Sequence, residues 1–311
     1  MTMTNPIRPP LQCSRRRAIA LLGAGALTRG ALTSAERGAP VRVDTHLHCF
    51  AGRDDERFPY HARAPYRPAE AATPEHLIEC MDGAGVDYAV VVHPEPYQDD
   101  HRYLRHCLQV GKGRLKGTSL IFADRPGAVE KLNEVVKIGG IVATRIHAYS
   151  PDRLPPFGQP ELRTLWAAAS DLGLAIQLHF EPRYAPPFEP LIREFRQTNV
   201  IIDHLGRPFQ GTPDEHEVVV RWARFPHTRI KLSSIPDARS YPHRDIRPTI
   251  RRLVDAYGPE RMIYGGGFGA SATAATYRSA FERARGFLAH LSRREQDQIL
   301  GGNARSLMGW V

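Results

Sequence analysis

Cysteine is scarce in this sequence. Four cysteines, Cys13, Cys49, Cys80 and Cys107, are spread over 311 residues, and no CxxC pair occurs. Zinc sites built on thiolates and small domains stapled by disulfides both need closely spaced cysteines. The sequence therefore indicates neither a cysteine-based zinc site nor a disulfide framework, and a chain of this length can bury a sizeable hydrophobic core instead.

Acidic residues are missing from the first 35 positions, which hold five arginines. Without those five charges the formal net charge of +9 falls to +4 for residues 36–311. The remaining sequence has no basic stripe interleaved with aromatic residues, the pattern typical of nucleic-acid binding. We therefore expect a small-molecule substrate of anionic character and no nucleic-acid partner. The sequence carries no signal for an oligomeric state.

The apolar segment Ile19–Leu27 is too short to form a stable membrane span. Arginines 15–17 precede it and Thr33-Ser34-Ala35 follows it, in the order of a secretory signal with a twin-arginine character. We predict a signal peptide over 1–35, a linker over 36–40 and one domain over 41–311, with export to the periplasm or the exterior. The alternative is a disordered basic arm on a cytoplasmic protein.

Short β-rich runs alternate with helix-like segments along the rest of the chain, which predicts a parallel sheet. The predicted strands are Val41–His48, Tyr88–His93, Lys116–Phe122, Ile141–His147, Leu174–Phe180, Val200–His204, Arg229–Ser233 and Met262–Tyr264. Helix starts are indicated by Thr73-Pro74-Glu75 and by a capping box that begins at Ser292. Eight such units over this length predict an α/β fold of the (β/α)8 TIM-barrel type.

Polar side chains stand at the ends of these predicted strands, where barrel enzymes carry their active sites. Because strand residues alternate between faces, His46 and His48 are expected to share the interior face with Asp44. Other strand-end candidates are Arg145, His147, Gln177, His179, His204 and an interior, paired Lys231. Imidazole can ligate a divalent metal, move protons near neutral pH or donate to a developing oxyanion. Five histidines on four strands therefore predict a chemical site.

A series of local motifs carries a family resemblance. They include Val43–His48, His93–Tyr97, Gln177–His179, Ile202–Pro208, Lys231–Ser233 and Gly302–Arg305. Together they resemble the amidohydrolase superfamily, family 2, in the branch of the 2-pyrone-4,6-dicarboxylate lactonases and sugar-lactone hydrolases. The resemblance implies a barrel of the metal-dependent-hydrolase type that hydrolyses a lactone or related ester at its mouth.

The resemblance also implies roles for individual residues. His46, His48 and His179 would polarise the substrate carbonyl, or would hold one divalent metal, zinc or manganese. No cofactor is needed if the chain works as the dicarboxylate lactonases do. Arg145 and Arg207 would hold substrate carboxylates, since guanidinium groups bind carboxylates bidentately. His147 and Tyr97 are predicted to complete the substrate-binding set.

One position departs from the family pattern. The eighth strand of the family usually ends with an Asp that transfers protons or binds metal, and this chain has Gly267 there. Glu95, Glu181 or Asp203 could replace that carboxylate, with Asp203 the least favoured because its neighbour His204 is assigned to the interior. A histidine, His204 or His147, could act as the base instead, and we name Glu95 and His204 as catalytic candidates.

Two further interpretations remain open. The chain could be a metal-dependent decarboxylase of the same superfamily, or a barrel that binds a ligand without catalysis. Glycines 265–267 could present backbone N–H groups to an anion, or could simply form a tight turn.

Overall fold

The described part of the chain is a ring of strands surrounded by helices. The computed structural model describes residues 40–235 and 245–310, so the predicted signal peptide lies outside the described residues. The strands are β1 Val43–Leu47, β2 Tyr88–Val92, β3 Leu115–Leu120, β4 Ile141–Ala148, β5 Ala175–Phe180, β6 Val200–Ile202, β7 Thr228–Leu232 and β8 Met262–Tyr264. The helices are α1 Pro74–Ala84, α2 Arg102–Gly111, α3 Ala128–Val136, α4 Pro160–Asp171, α5 Glu189–Glu194, α6 Pro213–Arg221, α7 Arg247–Tyr257, α8 Ala274–Phe287, α9 Arg293–Asp297 and α10 Asn303–Leu307.

The eight strands follow one another around the sheet in chain order, and each pairs in parallel with the next. The two ends of the sheet meet through side chains: the Thr45 hydroxyl donates to the Tyr264 carbonyl at 2.7 Å, and the Gly266 N–H donates to Asp44 Oδ1 at 2.7 Å. The predicted TIM-type barrel is therefore confirmed. The α1 and α9 starts are also as predicted, with Thr73 and Ser292 as side-chain caps.

The barrel interior is built in layers. One residue from each of six strands forms an apolar layer, closed from below by α10 and the residues that follow it: Val43, Val90, Ala143, Ala175, Ile201 and Ile263 pack with Ala304, Met308 and Trp310. Two positions further along β4 and β5, side chains are polar, and the register sets Arg145 beside Gln177 and His147 beside His179. The apolar layer supports the polar layers from below, and polar groups collect towards the carboxyl ends of the strands.

Strand β1 breaks the simple alternation. Its register with β2 shifts between Asp44 and Leu47, an irregularity of the kind that a β-bulge produces. As a result Asp44 does not share the interior face with His46, and that prediction was wrong. Its carboxylate is directed to α8, where it accepts from the Tyr277 hydroxyl at 2.8 Å.

A second, larger apolar cluster lies between the sheet and the helices and includes Trp166, Trp222 and Phe281, all fully buried. None of the helices in the described ranges is both long enough and apolar enough to cross a membrane.

Candidate active site

A carboxylate lies at the centre of the polar layer. Asp203 is 1% exposed, and its Oδ2 accepts from Arg145 Nε at 3.0 Å and from Gln177 Nε2 at 2.9 Å. Burial opposes ionisation of Asp203, but Lys231, His46 and Arg145 outweigh it and hold its pKa well below the usual range. Asp203 is therefore an ionised anchor for the cations around it, and a poor proton acceptor.

Lys231 projects from β7 into the same layer and is 0% exposed. Its ammonium donates to the Thr45 carbonyl at 3.0 Å and lies 3.3 Å from His46 Nδ1. It also forms an ion pair with Asp203 Oδ1 at 3.2 Å. Burial lowers the pKa of Lys231 and the Asp203 charge raises it again. The sequence-based prediction of an interior, paired lysine is confirmed.

Three histidines line a cavity of about 790 Å³ at the mouth of the barrel: His46, His48 and His204. The ring of His46 lies 4.4 Å from that of His204 and 5.3 Å from that of His48, between centroids. Burial lowers the pKa of His48 to about 4 and takes the pKa values of His46 and His204 well below their usual range. All three rings are consequently neutral at pH 7, so each has one N–H and one lone pair.

The lone pair of His48 has a defined position. Its Nδ1 lies 2.7 Å from the Val92 carbonyl oxygen, which can only accept a hydrogen bond. Nδ1 must therefore carry the proton, and Nε2 is the nitrogen with the free lone pair. A neutral imidazole held in this tautomer can take a proton from water or a substrate.

The end of β6 explains how two adjacent residues both reach the interior. After Ile202 the chain makes a left-handed turn in which His204, Leu205, Gly206 and Arg207 have φ of 55°, 57°, 70° and 55°. Ile201 belongs to the apolar layer, so strand alternation directs Asp203 inward, and the turn then brings His204 inward as well. The argument that His204 excludes Asp203 from the interior was therefore wrong.

Ser233 holds this turn in place. Its hydroxyl oxygen accepts from the His204 backbone N–H at 3.2 Å and lies 2.8 Å from His204 Nδ1. Left-handed conformations cost about 1–2 kcal/mol for each residue other than glycine, and such strain clusters at functional sites. The strained turn allows Asp203 and His204 to face the interior together, one as a charged anchor and the other as an imidazole that lines the cavity.

A second polar cluster occupies the β2 and β4 side of the mouth. Glu95 accepts from the Tyr149 hydroxyl at 2.7 Å and from Arg153 Nη1 at 2.9 Å, and it lies 3.3 Å from His147 Nδ1. Burial raises the pKa of Glu95, but His147, Tyr149 and Arg153 together lower it to about 2. Glu95 is thus ionised and tied down, while burial lowers the pKa of His147 to about 4. Glu95 and His147 line a separate cavity of about 360 Å³.

His179 connects the two clusters. Its ring centroid lies 4.8 Å from that of His147 and 5.2 Å from that of His204. Within the described ranges neither of its ring nitrogens has a hydrogen-bond partner. Burial takes its pKa well below the usual range, so this neutral ring can either donate or accept.

The predicted substrate-binding residues have different surroundings. Arg145 is 3% exposed, and its guanidinium is engaged by Asp203, with Nη2 2.9 Å from Oδ2. Arg207 is half-buried, with its guanidinium carbon 5.7 Å from the centre of the Tyr149 ring. Tyr97 is buried in the core, where its hydroxyl accepts from the Ala51 N–H at 2.8 Å. Arg207 is therefore the member of this set that lies at the mouth with a guanidinium not committed to Asp203.

The glycine segment after β8 is packed too closely for side chains. A Cβ on Gly265 would lie 2.6 Å from the Cβ of His46, and one on Gly267 would lie 2.9 Å from the Tyr277 ring. Gly267 also has φ of 137°, which residues with a Cβ rarely adopt. A side chain at position 267 would be directed at Tyr277 of α8, so the packing favours glycine there.

The contact between Asp44, Gly266 and Tyr277 was missed by the sequence-based reasoning. Asp44 accepts from three donors, the third being the His46 backbone N–H at 2.9 Å. Burial raises its pKa to about 6 despite these donors. The glycines at 265–267 are the sequence feature that could have indicated this contact, because a backbone N–H in such a segment needs a nearby acceptor, here Asp44.

The histidines predicted to form a metal triad do not gather as a group. Across residues 40–235 and 245–310, one set of three metal-ligating side chains has its ligand atoms within 4.8 Å of one another, and it comprises His46, Asp203 and His204. His48 and His179 are not members of it. The set of ligand atoms that lies close together in the described ranges thus includes the Asp203 carboxylate.

That alternative set does not fit a divalent ion as it is arranged. The Lys231 ammonium already lies beside both His46 Nδ1 and Asp203 Oδ1. A divalent ion about 4 Å from that ammonium would be repelled by on the order of 8 kcal/mol at an effective dielectric constant of about 20.

Comparisons with known proteins agree with this architecture. A model of the family described as amidohydrolase matches residues 43–310. L-fucono-1,5-lactonase of Burkholderia ambifaria is 27% identical over 241 residues, which cover 72% of this chain and 79% of that protein. A 2-pyrone-4,6-dicarboxylate hydrolase of Comamonas testosteroni is 23% identical over 239 residues, covering 72% of this chain and 75% of that protein.

A solved structure shows the same fold. It is a probable 2-pyrone-4,6-dicarboxylic acid hydrolase from Acinetobacter baumannii with citric acid bound, 23% identical in sequence. The superposition has a TM-score of 0.67 and covers 86% of this chain and 99% of that one.

Proposed function

The chain belongs to the amidohydrolase family and is a hydrolase, and we propose that it opens a small lactone by attack of water at the mouth of the barrel. The observation that carries the proposal is the set of neutral histidines around the 790 Å³ cavity, one of which has a defined lone pair on Nε2. The curated relatives with lactonase and pyrone hydrolase names support the same chemistry.

The proposed reaction begins with water beside His48. His48 Nε2 takes one proton from the water, and the oxygen forms a bond to the lactone carbonyl carbon. Negative charge develops on the carbonyl oxygen during the attack. This oxygen accepts hydrogen bonds from imidazole N–H groups that line the same cavity, which lowers the activation barrier for the attack. The tetrahedral intermediate then breaks its bond to the ring oxygen, and that oxygen receives the proton from His48. The product is an open hydroxy acid, and His48 returns to its neutral form.

In the proposed reaction His48 takes over the proton transfer that the family usually assigns to an Asp after the eighth strand. The anchoring carboxylates have depressed pKa values, because Asp203 is held by three cationic or donor groups and Glu95 by three others. Both are engaged by these cations and donors, whereas the contact of His48 Nδ1 with Val92 leaves the Nε2 lone pair for the reaction. The neutral His48 imidazole needs no prior deprotonation, and its low pKa still lets it return the proton readily to the leaving alkoxide.

The substrate that suits this cavity carries few negative charges. Arg145 and Arg207 are the two arginines predicted to bind substrate carboxylates. Because Arg145 is paired with Asp203, Arg207 is left to bind one carboxylate. A hydroxylated sugar lactone or a monocarboxylated lactone satisfies that arrangement better than a dicarboxylate does. The monocarboxylated lactone agrees with the anionic small molecule expected from the sequence, and a neutral sugar lactone departs from that expectation.

A panel of lactones tests the proposal. Sugar 1,4- and 1,5-lactones, a pyrone dicarboxylate and simple aliphatic lactones are incubated with the full chain, and acid release is followed with a pH indicator. We expect turnover of at least one lactone, and a fall in kcat of about 10²–10⁴ in His48→Asn. The matched control is His290→Asn, which alters an exposed histidine. Absence of turnover on every lactone, or equal kcat in the two variants, contradicts the proposal.

A further inference from the structure

Lys231 is the buried charge whose role the proposed reaction leaves unexplained. It is fully buried among polar groups rather than on the surface, where most lysines lie. An ammonium group has three N–H donors and no lone pair. Its hydrogen-bond contacts are the Thr45 carbonyl at 3.0 Å and His46 Nδ1 at 3.3 Å, and its ion-pair partner is Asp203 Oδ1 at 3.2 Å.

The ammonium of Lys231 determines which nitrogen of the His46 ring carries the proton. Its Nδ1 can accept from Lys231 only if that nitrogen carries a lone pair, so the ring proton must lie on Nε2. The opposite tautomer would set an N–H against the ammonium and leave one Lys231 donor buried without an acceptor. An unsatisfied buried donor costs about 1–3 kcal/mol. The competing contact, from His46 Nδ1 to Asp203 Oδ1, is longer at 3.4 Å.

Metal binding requires the opposite arrangement around His46. With its Nδ1 edge turned to Lys231, the ring can meet a ligand in the cavity only with Nε2. Nε2 must be free of its proton to ligate a metal, and that proton would then have to move to Nδ1, towards the ammonium. Lys231 therefore opposes a metal ion twice, through its charge and through the tautomer.

We infer that Lys231 is a positioning residue that holds His46 with its proton on Nε2, so that His46 donates a hydrogen bond into the cavity and does not ligate metal. The two β1 histidines then have complementary forms. His46 offers an N–H to the substrate, and His48, whose Nδ1 donates to Val92, offers a lone pair. The group beside each Nδ1 sets the tautomer: the Lys231 ammonium makes His46 a donor, and the Val92 carbonyl makes His48 an acceptor.

The wild-type protein tests the tautomer directly. The full chain is labelled with ¹⁵N, and two-bond proton–nitrogen correlations of the histidine rings are recorded at pH 7.5, with His46 assigned by its loss in His46→Gln. We expect His46 Nδ1 at the chemical shift of an unprotonated nitrogen and Nε2 at that of a protonated one. A protonated Nδ1 overturns the inference.

Removal of the ammonium gives the second arm. In Lys231→Met the proton is expected to move to Nδ1, towards Asp203, and zinc affinity measured by competition with a chromophoric chelator is expected to rise about tenfold or more. Lys116→Met is the matched control, since that lysine donates to the Gly309 carbonyl at 3.0 Å at the other end of the barrel. Unchanged tautomer and zinc affinity in Lys231→Met contradict the inference. If Lys231→Met does not fold, the wild-type spectrum decides.

The inference rests on the proposed function only where it assigns the donated proton to a lactone carbonyl. The tautomer is measured without any substrate, so its failure is distinguishable from failure of the lactone panel. A protonated Nε2 together with an inactive lactone panel would keep the role of Lys231 and reject the substrate class.

Discussion

The two sides of the barrel mouth treat their buried carboxylates differently. On the β6 and β7 side, Asp203 is held by lysine and arginine and is closed off from solvent, and the neutral His46 and His204 stand above it. On the β2 and β4 side, Glu95 is held by a tyrosine, a half-buried arginine and His147, next to a smaller cavity. The first side is a closed charge network that orients imidazoles, and the second is a partly solvated cluster suited to contact with the substrate.

Asp203→Asn is expected to have the largest effect on this comparison. It leaves Lys231 and Arg145 buried without their counter-charge, and breaking a buried ion pair from one side costs about 3–5 kcal/mol. The free energy of unfolding, measured with urea, should fall by that amount. Asp55→Asn removes the half-buried partner of the exposed Arg57, a pair at the surface, and should change the free energy of unfolding by less than about 1 kcal/mol. Equal losses in the two variants would show that the closed network is no more demanding than a surface ion pair.

Glu95→Gln should have a smaller effect that depends on pH. The pKa of Glu95 is lowered to about 2 in the folded protein, below its ordinary value of 4.5. Its contribution is therefore complete above about pH 4.5 and is lost as the pH falls through about 2. Allowing for partial solvent screening, we expect a loss of about 2 kcal/mol at pH 7 in urea unfolding. A stability difference between wild type and variant that does not shrink on acidification would contradict this assignment.

The fold could be predicted largely from the sequence because its signals are local. Eight apolar runs separated by helix caps specify a barrel whichever way individual side chains face. The same regularity placed His46, His147, His179 and His204 at one end of it, and the structure brings them to that end. The position of a residue along its strand is enough to predict at which end of the barrel its side chain lies.

The orientation of particular acids could not be predicted because it depends on departures from regular strands. The register shift in β1 turns Asp44 towards α8, and a left-handed turn after Ile202 lets both Asp203 and His204 face inward. Neither feature has a clear signature in the local pattern. The pairing of Lys231 with Asp203 spans two strands and becomes visible only when the barrel closes.

Gly267→Ala should have a still smaller effect on stability, through the packing of α8 against the start of β1. The backbone at this position has φ of 137°, and a Cβ would press on the Tyr277 ring that donates to Asp44. We expect a loss of about 1–2 kcal/mol in the free energy of unfolding. Gly269→Ala is the control, because a Cβ there meets no atom within 4 Å. Similar stabilities of the two variants would mean that the glycine at 267 is not required by packing.

Removal of metal is expected to have the smallest effect, because the proposed reaction uses only side chains of this chain. The full chain is dialysed against a strong chelator, its zinc and manganese content is measured, and kcat/KM is determined on the best lactone of the panel before and after. We expect unchanged kcat/KM in the metal-depleted protein, because the neutral histidines supply the chemistry and Lys231 positions one of them. Loss of activity on depletion, with recovery on addition of one equivalent of zinc or manganese, would contradict it.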